Sequence, residues 1–207
     1  MKANEEKTKA ATAPRVPYQH RVIAALLGRI AASMPAKRLS KLYALKIVYL
    51  ADRYHLRKFG RTITEDTYWA MDYGPVASET KRMIEAIAEG REPAPAFLRI
   101  DPTARRIVEI GVIGPVDESP LSDTDREATD AALAEASLHQ NLVEFTHEFP
   151  EWRRQRDAHG GTEKLHRKMP FADFFLPAPP RAEYCHVAPE LLRLNLEALA
   201  ESNTVAR

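Results

Sequence analysis

Apolar positions recur at helical spacing along much of the chain, and the densest run covers residues 39–59. Leu39, Leu42, Tyr43, Tyr49, Leu50 and Tyr54 fall near one face, and Leu45, Ile47 and Val48 widen it until most of the circumference is apolar. A helix of that kind packs against more than one neighbour. Gly60 is its natural stop, with Arg57 and Lys58 placed in the last turn to complement the dipole. Lys37, Arg38 and Lys41 stand at the other end, where the dipole disfavours cations, so they require either a partner acid or a solvated face.

Beyond Gly60 the period shortens to two. Tyr68 and Ala70 point one way and Thr67, Trp69 and Met71 the other, which predicts a short strand. Asp72-Tyr73-Gly74-Pro75 then turns the chain, and Ser78 is positioned to cap a helix over 78–89 with Val76, Met83, Ile84 and Ile87 as its buried stripe. Upstream, Val22, Ile23, Leu26, Leu27 and Ile30 predict a helix that opens at Pro17 and ends at Met34-Pro35. Downstream, residues 97–100 and 107–110 read as a hairpin expected to join the Tyr68 strand in one sheet, because an isolated hairpin is marginal.

Ser122 with Asp125 opens a further helix to about residue 138, and Asn141 caps a short one over 142–147. Pro150 reads as a helix stop with Trp152 folded back on the core. The charged stretch 153–168, with Gly160-Gly161, reads as loop, and residues 187–201 as a last amphipathic helix. The fold class expected is α+β and predominantly α-helical: a helical bundle with a small antiparallel sheet of about three short strands.

Residues 1–15 lack an apolar anchor and are expected to form a disordered arm. Residues 16–152 are expected to form the domain proper. Residues 153–207 are then a C-terminal extension, carrying the Phe-rich segment and the final helix, packed on the same body.

Composition narrows the function. The chain has 207 residues, 44% of them hydrophobic, and a formal net charge of +1, so no overall field draws it to nucleic acid or an anionic membrane. Cys185 is the single cysteine, which excludes an intramolecular disulfide and suits the cytoplasm. Its neighbour His186 is not expected to form a catalytic pair with it, since adjacent side chains seldom meet. There is no long apolar run of membrane-span length and no secretory signal at the start. Gly-rich phosphate loops, HExxH and CxxC spacings are missing, so neither a cofactor nor a metal is expected. Asp52 and Asp72 are candidate buried acids, with Arg53 and Arg61 as candidate partners.

The order of long helix, strand and corner resembles the Panacea domain, the SocA-like antitoxin domain of bacterial and phage proteins. The residues that carry the resemblance are Leu50-Ala51-Asp52-Arg53, Tyr54-His55-Leu56, Gly60-Arg61-Thr62-Ile63-Thr64 and Tyr73-Gly74-Pro75-Val76, followed by Thr146, His147, Pro150 and Trp152. It spans roughly residues 17–152. The resemblance implies a non-enzymatic antitoxin that binds a cognate toxin protein, and in the SocA branch an adaptor handing that toxin to an ATP-dependent protease of the ClpXP type.

Aromatics make good anchors for such contacts, because they bury large area at low entropic cost. The candidate partner-binding residues are Trp69, Asp72, Tyr73, Gly74 and Pro75 at the corner, with Phe171, Phe174 and Phe175. Those three phenylalanines need burial, either in the body of the domain or in a partner. A DNA-binding regulator of its own operon is the alternative. Nucleic acid is nevertheless not the expected partner, since the tyrosines among the bases of residues 38–61 fall on the buried side of the helix. An enzyme would require Asp52, Asp72 and His147 to converge in one open cleft.

Overall fold

The computed structural model describes residues 16–103, 107–161, 163–177 and 186–205; the N-terminal arm and Cys185 lie outside them. Helix α1 (Tyr18–Ser33) starts after Pro17 and buries Ile23, Leu26, Leu27 and Ile30. The next element is a short strand, β1 (Arg38–Ser40), reached through a left-handed turn at Lys37 (φ 49°). Ser40 then caps helix α2 (Lys41–Phe59), its side chain accepting from the Tyr43 N–H at 3.3 Å, and Gly60 closes the helix in the left-handed conformation with φ 79°. So Leu39 is a strand residue rather than the first turn of the helix: it faces Ile110 across the ladder. Arg38 lies 3.8 Å from Glu109, and Lys41 bonds Glu85 at 2.7 Å, so both have acidic partners.

Strands β2 (Tyr68–Met71) and β3 (Gly74–Ala77) form a tight hairpin that runs directly into helix α3 (Ser78–Ala88). Ser78 does not cap α3. The cap comes from a distance: the Asp66 carboxylate accepts from the N–H groups of Glu79 (2.8 Å) and Thr80 (2.7 Å) and from the Thr80 hydroxyl (2.9 Å). The predicted hairpin is present as β4 (Leu98–Pro102) and β5 (Val108–Val112), but it joins β1 in a sheet of order β1-β5-β4. The expectation of a single sheet is corrected on that point. Leu39, Ile100 and Ile110 share one buried face, so the hairpin's inward residues are covered without the Tyr68 strand.

Helices α4 (Asp123–Ser137) and α5 (Leu142–His147) begin at the caps expected, Ser122 with a full capping box and Asn141 with its side chain on Val143 and Glu144. Two expectations fail after that. Pro150 opens helix α6 (Pro150–His159) at its first position, where its missing N–H costs nothing, rather than merely stopping α5. The stretch 153–168, expected as loop, instead holds most of α6 and strand β6 (His166–Lys168), which pairs with β2 to complete a second sheet of order β3-β2-β6. A 3-10 helix (Phe171–Phe175) and helix α7 (Pro189–Val205) complete the order.

The fold is thus α+β, mostly helical, with two small antiparallel sheets. Helix α2 lies at its centre and touches α1, α3, α4, α5, α7 and β3. One apolar core runs through it, joining Ile23 and Tyr49 to Leu165, Met169 and Phe174. Tyr49 meets Phe149 edge-on at 5.6 Å, and Tyr68 meets Phe174 at 5.4 Å. Polar fastenings run alongside. Arg53 Nε and Glu151 form a fully buried ion pair at 2.5 Å, and the Tyr49 hydroxyl donates to the same carboxylate oxygen at 2.6 Å. Arg57 donates to the carbonyls of Phe174 (2.9 Å) and Leu176 (3.1 Å), and its own carbonyl accepts from Asn195 at 3.0 Å. No helix among the described residues is long and apolar enough to cross a membrane.

Candidate functional site

The turn between β2 and β3 consists of Asp72 and Tyr73, held in place because Met71 pairs with Gly74 directly across it. Tyr73 is 68% exposed, the most open aromatic of the motif, while Gly74 and Pro75 immediately after it are buried. Asp72 fastens the turn from the side, its carboxylate accepting the Leu165 N–H at 2.9 Å. Trp69, half-buried on the outer face of the hairpin, lies flat against His166 at 4.3 Å and 8°.

Under this corner lies Lys46. It projects from the middle of α2, has no exposed surface, and donates to the Pro75 carbonyl at 2.9 Å. Burial pushes its ammonium down to about 7. Gly74 has φ 94°, and a Cβ there would stand 2.7 Å from the Lys46 Nζ and 2.9 Å from the Thr146 Oγ1. The corner is therefore glycine for two independent reasons, backbone conformation and lack of room.

His147 completes the seat. Its ring stacks on Trp152 at 3.8 Å and 8°, and the Trp152 indole N–H donates to the Met71 carbonyl at 3.0 Å, tying α6 to the base of the turn. The Arg156 guanidinium covers the Trp152 ring at 5.2 Å. Burial, and then the positive charges of Lys46 and Arg156, push His147 down to about 4, so the imidazole is neutral at pH 7. Its buried Nε2 has no hydrogen-bond partner among the described residues.

An amine and a neutral imidazole side by side suggest base chemistry, but the fully covered Lys46 offers a substrate no approach. The carboxylates do not help. Asp52 is consumed in the core, where it accepts from the N–H groups of Ile63 (2.7 Å) and Thr64 (3.1 Å) and from the hydroxyls of Thr64 and Tyr68. Burial pushes it up to about 6, and those donors hold it as a carboxylate above that pH. Its expected partners go elsewhere: Arg53 to Glu151 and Arg61 to Asp125. Asp52 and Asp72 thus serve separate backbone segments, and no group of metal-ligating side chains occurs among the described residues. An apolar cleft of about 540 Å³ between Pro17, Met83, Pro95 and Phe97 shares no lining residue with the corner.

The candidate partner-binding residues divide by depth. Asp72 and Tyr73 are exposed, Trp69, Phe171 and Phe175 partly so, and Gly74, Pro75 and Phe174 are buried. Sequence reasoning did not single out Lys46 or Glu151, and it read Arg57 as a complement to the helix dipole rather than as a tie to the Phe174 and Leu176 carbonyls. Lys46 had a signal, a lone lysine in the apolar run Leu45-Lys46-Ile47-Val48. Glu151 sits among other charges and had none.

The corner and the Lys46, His147 and Trp152 seat lie between Leu45 and Arg153, the span matched by a family model described as antitoxin SocA-like, Panacea domain, while Arg156, Leu165, His166 and the Phe171–Phe175 segment lie beyond it. No curated protein and no solved structure gives a significant match to the chain. The model covers residues 45–153, more than half of the 207-residue chain, and includes the Tyr73-Gly74-Pro75 corner together with the Lys46, His147 and Trp152 seat beneath it. The chain belongs to the SocA-like antitoxin family, in its Panacea domain.

Proposed function

We propose that the chain is the antitoxin of a toxin–antitoxin pair, acts in the cytoplasm, and neutralises its toxin by direct protein–protein contact without making or breaking bonds. One observation carries this reading beyond the family's general role. A large aromatic, Tyr73, stands in solvent on a two-residue turn whose underside is clamped by Lys46, Asp72 and Trp152. A pre-organised aromatic is the kind of group that anchors an interface, since little freedom is lost on binding. Trp69 and Asp72 flank it at the surface, and Gly74 and Pro75 set the backbone that presents it; Phe171 and Phe174 pack against Tyr68, at the other end of β2.

Co-expression tests the reading. The product of the adjacent gene alone should arrest growth, and this chain should restore it; a harmless neighbour would remove the main support. Direct binding serves either of two ends, sequestration or delivery to an ATP-dependent protease. Under delivery, the toxin's half-life lengthens when this chain is deleted; under sequestration it does not.

A further inference from the structure

A strongly basic face lies where α6 meets the edge of the second sheet. Residues 153–168 hold Arg153, Arg154, Arg156, Lys164, Arg167 and Lys168 against two acids, Asp157 and Glu163, in a chain whose formal net charge is +1. All six cations are exposed. Arg154 is matched by Asp173 at 2.6 Å and Arg156 by Asp157 at 2.8 Å. Arg153, Lys164, Arg167 and Lys168 have no carboxylate partner among the described residues, although Arg153 Nε donates to the His147 carbonyl at 3.2 Å.

Among the described residues, the backbone beneath these charges is also open. Among the described strands β6 pairs with β2 alone. The Met169 N–H donates to the Tyr68 carbonyl at 2.8 Å. That phase turns the backbone of Arg167 towards β2 and the N–H and C=O groups of His166 and Lys168 outward. A free edge accepts another strand, and cations along it repel a second copy of itself. The same cations attract a segment rich in Asp and Glu. Duplex nucleic acid fits less well: the aromatic of this face, Trp69, is already covered by His166, and a three-residue strand reaches few phosphates. The edge adjoins the Tyr73 turn, because His166 stands opposite Met71.

We propose that the outer edge of β6, with Arg153 of α6, is a docking site for an acidic segment of a protein partner, added as a strand beside His166-Arg167-Lys168. The proposal rests on the antitoxin reading for the identity of that partner, the toxin, and not for the chemistry of the edge.

The test has two arms, each with the full chain and a folded Arg153→Glu/Arg167→Glu/Lys168→Glu variant, backed by the milder Gln triple. In the first, a short alternating Glu-Val peptide binds the native chain, weakens with added salt, and protects the His166 and Lys168 amides from hydrogen exchange. The Glu triple then loses at least about tenfold in affinity and the Gln triple less. In the second arm, the Glu triple loses affinity for the growth-arresting neighbour to a similar degree. Unchanged peptide binding by the Glu triple, protection at other amides, or tighter binding of a duplex DNA than of the peptide overturns the proposal. Full neutralisation by the Glu triple overturns it while leaving the antitoxin reading intact. A neighbour that never arrests growth defeats the antitoxin reading, and the peptide arm then decides the edge on its own.

Discussion

Lys46 has been removed from water on every side, with a carbonyl as its acceptor and a neutral imidazole nearby. Its folded pKa of about 7 lies below the usual 10.5, so between those values the unfolded chain binds one more proton than the folded one. The stability this supplies is fully present above 10.5 and is lost as pH falls through 7. Denaturant midpoints should therefore climb from pH 7 towards pH 10, with a slope approaching about 1.4 kcal/mol per pH unit, and Lys46→Met should flatten that climb. Gly74→Ala places a methyl against Nζ and Thr146 at a left-handed φ; a loss of at least about 2 kcal/mol in urea unfolding is expected. Tyr73→Ala should behave in the opposite way. Its ring is exposed, so the melting temperature should hold, while toxin affinity should fall by about 2 kcal/mol, roughly thirtyfold. A melting temperature that falls along with the affinity would place Tyr73 in the structure instead.

At the scale of elements, two distant side chains do work that local sequence cannot advertise. Asp66 supplies the α3 cap from across the hairpin, and Asp66→Ala should cost about 1–2 kcal/mol, with exchange of the Glu79 and Thr80 amides accelerating first. Arg53 and Glu151 lock α2 to α6 in a dry contact. Removing one partner should cost about 3–5 kcal/mol, and the paired change Arg53→Met/Glu151→Leu should recover most of it in a double-mutant cycle. These cases also show where sequence reading succeeds. Helices α1, α2 and α4 were legible because each carries an apolar stripe and a local stop or cap, at Pro17, Gly60 and Ser122. Helix α6 was not: it buries only Glu151 and Trp152, and its charges imitate a loop. The corner was legible because Tyr73-Gly74-Pro75 is contiguous. The seat beneath it was not, because Lys46, His147 and Trp152 come together only through the packing of α2, α5 and α6.

For the whole molecule, the span that identifies the family is smaller than the body that folds. Residues 45–153 exclude α1, whose Ile23, Leu26, Leu27 and Ile30 are fully buried, and exclude Phe174, which lies against Tyr49 and Tyr68. A fragment limited to 45–153 should lack dispersed amide resonances and a cooperative melt, whereas the full chain should show both. A cooperative fragment would mean that the flanking elements are accessory. The way the chain's last third is tied down bears on this. Arg57 grips the carbonyls of Phe174 and Leu176, and Asn195 grips that of Arg57. Every amino acid carries such a carbonyl. At Leu176 the grip reads no side chain, so a substitution there should leave it closed, whereas Phe174 is fixed a second time by its ring in the core.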